Sequence, residues 1–375
     1  MDELLFDDSC MRALLPSIER CAQSIRGWLS EGRLLVIRFN DDCDGAVCGM
    51  ELFSAAAAFA RENGIDTKGV GAFQLESAVY SQKDAFDDLS RARDAARKLA
   101  LVIADLGANE ESYEGVKALK DAGARVCIID HHPPFAQTLA LCDCAASSHE
   151  YDPTGSHTAG LVAYEVARRI FARAADEEWV HWSLQSDKSA LAKKRDHAGA
   201  IALDYLSHFS EKQSTAQYYI EKISDERTIA LCVKLAAGYE AKALQSGLKH
   251  SKITPVSDGA LLVVCDISRA VKKGGYPPKG MCLNLVQDYL SNRHGGKAVV
   301  SLGFSGDSIG MRANAGAIRR GFDSNRVIRA LKKEFGEAVH SGGGHTAAAS
   351  VRFVESHART ILERASALVE GELKK

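Results

Sequence analysis

Three short apolar runs early in the chain each end on acidic or imidazole side chains. Leu34-Leu-Val-Ile-Arg-Phe39 leads into Asn40-Asp41-Asp42-Cys43-Asp44-Gly45, Leu101-Val-Ile-Ala104 into Asp105-Leu-Gly, and Val126-Cys-Ile-Ile129 into Asp130-His131-His132. Apolar runs this short, bounded by turn-forming residues, read as buried strands. Stretches with helical spacing separate them, at 46–62, 91–99 and 111–122. Strand and helix in alternation predict a parallel α/β sheet. Ligands of such sheets bind beyond the carboxyl ends of the strands, which is where these acids and histidines stand.

The pattern is helical from 160 to 223 and partly helical from 225 to 252, before Thr254-Pro-Val-Ser-Asp-Gly259. Further strand-like runs follow at 261–265, 298–304, 308–312 and 347–353, with helical stretches at 281–290 and 324–335. The chain of 375 residues is long enough for two domains. The expected division is a first α/β domain over 1–225, a helical linker over 226–258, and a smaller mixed α/β domain over 259–375, with a cleft between the domains. A composition 46% hydrophobic and 26% charged excludes a disordered or fibrous chain.

None of the ten cysteines forms a C-x-x-C pair, and the nearest spacing, Cys142-Asp143-Cys144, has no second knuckle beside it. Spacing therefore gives little support for a structural zinc site. Cys127 and Cys265 lie in apolar runs, where reduced cysteine acts as a small hydrophobe. A reducing cytoplasm is expected. The N-terminus is acidic, unlike a signal peptide. No apolar run approaches the ~20 residues of a membrane span; the one at 55–60, flanked by Glu51 and Arg61, reads as a buried helix. No membrane partner is expected.

Four constellations carry chemistry. Asp42 and Asp44 are close enough to repel unless a cation neutralises them, with Gly45 permitting a turn; alternatively they cap the following helix. Asp105 alone is equally a cap or a turn residue. Asp130-His131-His132-Pro-Pro joins a carboxylate and imidazoles directly after a strand, a set suited to Mn²⁺, Zn²⁺ or Fe²⁺. Ser341-Gly342-Gly343-Gly344-His345, expected just before a strand, offers backbone N–H groups and an imidazole to an anion, or is simply a turn.

In this order the motifs resemble those of the DHH phosphoesterase superfamily, a catalytic DHH domain followed by a DHH-associated substrate domain. The resemblance runs from about Leu34 to Phe353. Within the superfamily the chain most resembles the archaeal RecJ-like single-strand exonucleases, through Tyr151-Asp-Pro-Thr-Gly-Ser-His-Thr-Ala-Gly160 and Gly275-Tyr-Pro-Pro-Lys-Gly280. The resemblance implies Asp42, Asp44, Asp105 and His131 as metal ligands, Asp130 as the residue orienting His131, and His132 as the group facing the scissile phosphate. It implies a further acid downstream, for which Asp204 is the candidate, with a helix-surface role as its alternative. Arg312, Gly342, Gly343, Gly344 and His345 match the phosphate-contacting part of the second domain. Tyr276 could stack a base, or pack in the core beside its two prolines.

The sequence departs from the family where a His or Asp is common just before the first Asp pair. Arg38 and Asn40 stand there. Asn40 offers only a neutral amide ligand, so one of two Mn²⁺ sites is expected to be weaker; Mg²⁺ is the alternative cation. The expected activity is metal-dependent phosphodiester hydrolysis of single-stranded DNA or RNA, or of short oligonucleotides. The alternatives are a non-catalytic replication or repair scaffold with protein partners, and a small-molecule phosphoesterase acting on a cyclic dinucleotide, a nucleoside bisphosphate or polyphosphate. Charge fits a polyanion. Residues 226–375 carry 23 Lys and Arg against 13 Asp and Glu, and residues 1–225 carry 24 against 36, so the net charge of −2 is a cancellation of +10 and −12.

Overall fold

Strands β1 (Leu34–Phe39), β2 (Val70–Gln74), β3 (Leu99–Ala104), β4 (Arg125–Asp130) and β5 (Cys144–Ser147) form one parallel sheet in the order β2-β1-β3-β4-β5. β1 and β3 are buried at every position, as parallel strands covered on both faces should be. Side chains alternate between the faces. Leu35, Ile37 and Phe39 enter one core with Ala100, Val102 and Ile129, while Leu34 and Val36 enter another with Leu101, Ile103 and Ile128. Each large apolar side chain so buried is worth ~1.5–3 kcal/mol.

Helices α1 (Ser9–Ser30), α2 (Cys43–Glu62), α3 (Gln82–Asp94), α4 (Tyr113–Asp121) and α5 (Ala136–Leu141) alternate with the strands, and α6 (Ala159–Phe171), α7 (Glu177–Ser186), α8 (Ala198–Phe209) and α9 (Ala216–Ile223) follow β5. α1, α2 and α6 cover the first core; α3 and α4 cover the second. α2 is apolar and long enough to cross a membrane by length and composition, yet 78% of its most apolar window is buried in the domain. The strand order reverses between β1 and β3, one neighbour being reached on each side of β1. At such a switch point the connections diverge and leave a crevice at the carboxyl ends.

The computed structural model describes residues 4–75, 77, 79–194, 197–209, 214–272 and 274–374. They divide into two units, 1–233 and 234–375, the division falling within α10 (Glu226–Lys249). The second unit holds β6 (Ser251–Pro255), β7 (Leu261–Asp266), α11 (Ile267–Ala270), α12 (Lys279–Arg293), β8 (Val299–Ser305), β9 (Ser308–Ala313), α13 (Ala315–Arg319), α14 (Ser324–Phe335), β10 (Val339–His345), β11 (Ala348–Phe353) and α15 (Ala358–Leu373). Its sheet runs β10-β11-β9-β8-β7-β6, parallel only between β7 and β8. Val300, Leu302, Met311 and Val351 pack against Ile328 and Leu331 of α14 and Ile361 of α15.

Two local expectations are corrected. The helix expected at 91–99 starts earlier, because Ser81 and Asp84 form a capping box at 82, and it ends at Asp94; Leu99 already pairs with Leu34. The glycine run at 342–344 lies inside strand β10 and not in a loop before a strand, each glycine pairing with β11. β10 is an edge strand, and such a strand turns alternate backbone groups outward. A Cβ at Gly344 would lie 2.5 Å from the Ala348 carbonyl oxygen, so that position has no room for a side chain.

Candidate metal centre

The crevice at the carboxyl ends of β1, β3 and β4 collects its side chains from several segments. After β1, Asp42 caps α2: its Oδ1 accepts the Gly45 N–H at 2.8 Å, and its Oδ2 accepts Asn40 Nδ2 at 2.7 Å. Gly45 is needed for closeness, since a Cβ there would meet the Asn40 carbonyl oxygen at 2.5 Å. Asp44, in the first turn of α2 and 1% exposed, reaches the N-terminus of α6. Its Oδ1 accepts the Gly160 N–H at 2.7 Å and the Ser183 hydroxyl at 2.6 Å, and its Oδ2 accepts the Ala159 N–H at 3.0 Å. A carboxylate at a helix N-terminus is favoured by the helix dipole.

Asp105 follows β3 in the left-handed region, at φ 60, a conformation found in a few per cent of non-glycine residues and commonest at functional sites. Its Oδ2 accepts Asn40 Nδ2 at 3.3 Å, while its Oδ1 and the Asn40 Oδ1 are buried without a hydrogen-bond partner. Asp130 ends β4 and is fully engaged. Its Oδ1 accepts the N–H groups of His131 (2.8 Å) and His132 (3.1 Å) and stands 2.8 Å from His132 Nδ1, and its Oδ2 accepts the Ala108 N–H at 3.1 Å. His132 is thereby fixed with its side chain 40% exposed. His131 is buried, and its Nε2 lies 3.3 Å from Asp105 Oδ1, 3.5 Å from Asp187 Oδ2 and 3.7 Å from Asp44 Oδ2.

Asp187 was not singled out by the sequence. It sits at the C-terminal end of α7, where a negative charge is disfavoured by the helix dipole; an acid at that end is the one sequence signal that could have marked it. Asp204, the expected downstream acid, lies on α8 and accepts the Cys43 N–H at 2.9 Å, which holds the start of α2. Arg38 turns to the other face of β1 and forks onto Asp88 of α3 at 3.0 and 3.1 Å from Nε.

The charges in the crevice oppose one another. Burial, and then the carboxylates of Asp42 and Asp44, push the Asp105 carboxyl well above its ordinary range. Burial and Asp44 act in the same direction on Asp187, although its side chain keeps 27% of its surface open to water. Asp44 is pushed up to about 6 by burial, with the Ser183 hydroxyl pulling the other way. Burial would also raise Asp130, but His132 and His131 outweigh it and hold that carboxyl below its ordinary value. Burial would lower His132, yet Asp130 raises it to about 9. A divalent cation would relieve this arrangement. Asp44, His131 and Asp187 each offer a ligand atom within 4.8 Å of the others, as do Asp105, His131 and His132. The spacings from His131 approach the ~3 Å ligand–ligand edge of an octahedron with bonds near 2.1 Å. Oxygen and imidazole donors fit Mn²⁺, and the partnerless Asp105 Oδ1 points among them.

In the second unit, Arg312 and His345 occupy one cross-strand row, both registered to Ala348 on β11. The Arg312 Nε donates to Asn284 Oδ1 of α12 at 2.5 Å, and burial lowers its basicity. Tyr276 is 6% exposed and donates its hydroxyl to Glu240 at 2.9 Å. The base-stacking expectation for Tyr276 is therefore corrected: its ring packs beside Tyr239, and its face is not open to a nucleobase.

No family profile matches this chain. A curated relative, the uncharacterized protein MJ1198 of Methanocaldococcus jannaschii, is 23% identical over 94% of this chain and 53% of its own length. The chain thus spans about half of that relative. Among solved structures, the DHH domain of PF0399, a member of a family of ribosomal proteins, superposes with TM-score 0.89 at 23% identity, over 98% of this chain and 94% of that one. RecJ from Thermus thermophilus in complex with Mn²⁺ gives 0.60 at 14% identity, over 94% and 54%. CDC45 from Entamoeba histolytica gives 0.50 at 10% identity, over 94% and 99%. The chain has the fold of the DHH-domain proteins.

Proposed function

We propose that this protein is a Mn²⁺-dependent phosphodiesterase acting from one end on single-stranded nucleic acid or short oligonucleotides. The observation that carries the reading is the convergence of Asp44, Asp105, Asp187 and His131 around one point, with the half-exposed His132 beside it. Asp42, Asp44, Asp105, His131 and Asp187 would hold the cations, with Asp204 steadying α2 behind them. Bound Mn²⁺ ions supply charge neutralisation and a water of lowered pKa for in-line displacement. The remaining work belongs to the chain. Asp130 accepts four donors and fixes His132, which at neutral pH carries a proton it can donate toward the leaving oxygen. Asp44 keeps its place because the α6 N–H groups bind it whatever else enters. The basic second unit, through Arg312, His345 and the β10 edge, serves as the phosphate-binding part.

Supporting this reading, RecJ is described with Mn²⁺ and also with Mg²⁺ bound. The test is Mn²⁺-dependent release of mononucleotides from end-labelled single-stranded DNA and RNA, with a dinucleotide and inorganic polyphosphate as parallel substrates. Product from a single strand that disappears in Asp130→Ala supports the proposal. Equal rates for wild type and Asp130→Ala would refute it, and hydrolysis confined to the small substrates would reassign the site to a small-molecule phosphoesterase.

One observation favours a second reading, a non-catalytic scaffold. The Asn40 amide donates to both Asp42 and Asp105, so two carboxylates are already bridged by a neutral group. Titration with Mn²⁺ separates the readings: stoichiometric binding favours the enzyme, and no binding favours the scaffold.

A further inference from the structure

The fold gathers three cysteines that lie far apart in the sequence. Cys21 is on α1, Cys127 on β4 and Cys144 on β5, and their sulfurs lie within 4.8 Å of one another. Cys127 and Cys144 are direct neighbours across the parallel β4–β5 pair, and α1 packs on β5 to bring Cys21 to them. Ser24 lies three residues after Cys21, on the same helical face. Cys21 and Cys127 are fully buried and Cys144 is 4% exposed, while Ser24 is half-buried. Cysteines that serve only as small hydrophobes need no such focus. Three sulfurs converge from a helix and two strands, and Ser24, on the Cys21 face of that helix, is the candidate for a fourth donor.

We propose that Cys21, Cys127, Cys144 and Ser24 form a structural Zn²⁺ site of three sulfurs and one hydroxyl oxygen that clamps α1 to β4 and β5. Zn²⁺ takes four tetrahedral ligands and accepts thiolates readily. Each sulfur releases its proton on binding, so three thiolates and Zn²⁺ leave one net negative charge in the core, beside the Ser24 hydroxyl. A monovalent cation such as Cu⁺ would leave two, and burial penalises each added charge. The clamp holds β4 three residues before Asp130, the strand that delivers both histidines to the crevice. Contiguous spacing hides the site, because its ligands come from three separate segments.

The experiment is Co²⁺ titration of the full-length protein, read by sulfur-to-cobalt charge-transfer absorption in the near ultraviolet. The acidic crevice has only oxygen and nitrogen donors and gives no such band. One equivalent of Co²⁺ should develop the band in wild type, in Asp130→Ala and in Cys10→Ser, and Zn²⁺ should displace it. Cys144→Ala should abolish it. Ser24→Cys, which supplies a fourth sulfur and does not depend on a cavity being tolerated, should raise its intensity by about one third. Absence of the band in wild type, its persistence in Cys144→Ala, or an unchanged intensity in Ser24→Cys would overturn the proposal.

Discussion

Two groups of acids sit on opposite faces of β1 and are held in opposite ways. Behind the strand, Asp88 is fully buried but receives the Arg38 guanidinium through two nitrogens and the Tyr80 hydroxyl at 2.9 Å. In front, the buried Asp44 and Asp105 and the partly open Asp187 press on one another with a single imidazole between them. The first group is complete as folded. The second carries unmatched charge that a bound cation would neutralise. Burial alone therefore does not mark a functional acid; burial with an unmatched charge does.

The largest effect expected from breaking this contrast is at the completed pair. Asp88→Ala strands a buried guanidinium and should lower stability by about 3–5 kcal/mol in urea unfolding. Gly160→Ala comes next. Its Cβ would lie 2.6 Å from Ser183 Oγ and 2.7 Å from Asp44 Oδ1, so about 1–3 kcal/mol of stability should go, together with most Mn²⁺ affinity measured by titration. Asp105→Asn should act with the opposite sign on stability. Removing one of the mutually repelling charges should raise the metal-free unfolding free energy by about 1 kcal/mol while Mn²⁺ binding falls; a loss of stability would contradict the picture of repulsion.

The smallest effect expected is a pH slope from a third, completed group. His157 pairs with Asp152 at 2.7 Å and Asp8 at 2.8 Å. Burial would lower it, but hydrogen bonds with Cys10, Asp152 and Asp8 raise it to about 10. A raised histidine gives its stabilisation fully below the unfolded pKa near 6.5 and loses it as pH climbs through about 10. Asp152, at about 2 despite burial, keeps its share above ~3.9 and loses it as pH falls through about 2. With Asp8 open to water, the whole trio is worth less than ~1 kcal/mol, measured as the difference between wild type and His157→Gln at pH 6 and pH 9.

Much of this was legible in the sequence, for a physical reason. β1, β3 and β4 are buried on both faces, so their residues are apolar almost without interruption, and their polar followers stand out. That brought Asp42, Asp44, Asp105, Asp130, His131 and His132 into view before the fold did. β2 and β5 escaped notice because one contains Gly71 and alternates in burial, and the other is four residues long. Glycines conceal β10, since they carry no strand preference of their own. Asp187 and the cysteine cluster depend on long-range packing: nothing near Asp187 in sequence says that α7 ends in the crevice, and nothing near Cys21 says that β4 and β5 lie beneath it.

Asp44 serves two masters, and this joins chemistry to mechanics. Its Oδ2, which accepts the Ala159 N–H at the start of α6, also faces His131 across 3.7 Å. Any change in charge at the crevice must be felt as tension on the first turn of a helix that packs along α2 and α1. A cation in the crevice would therefore act on the first turn of α6, and the amides of Ala159 and Gly160 are where exchange with solvent would slow first.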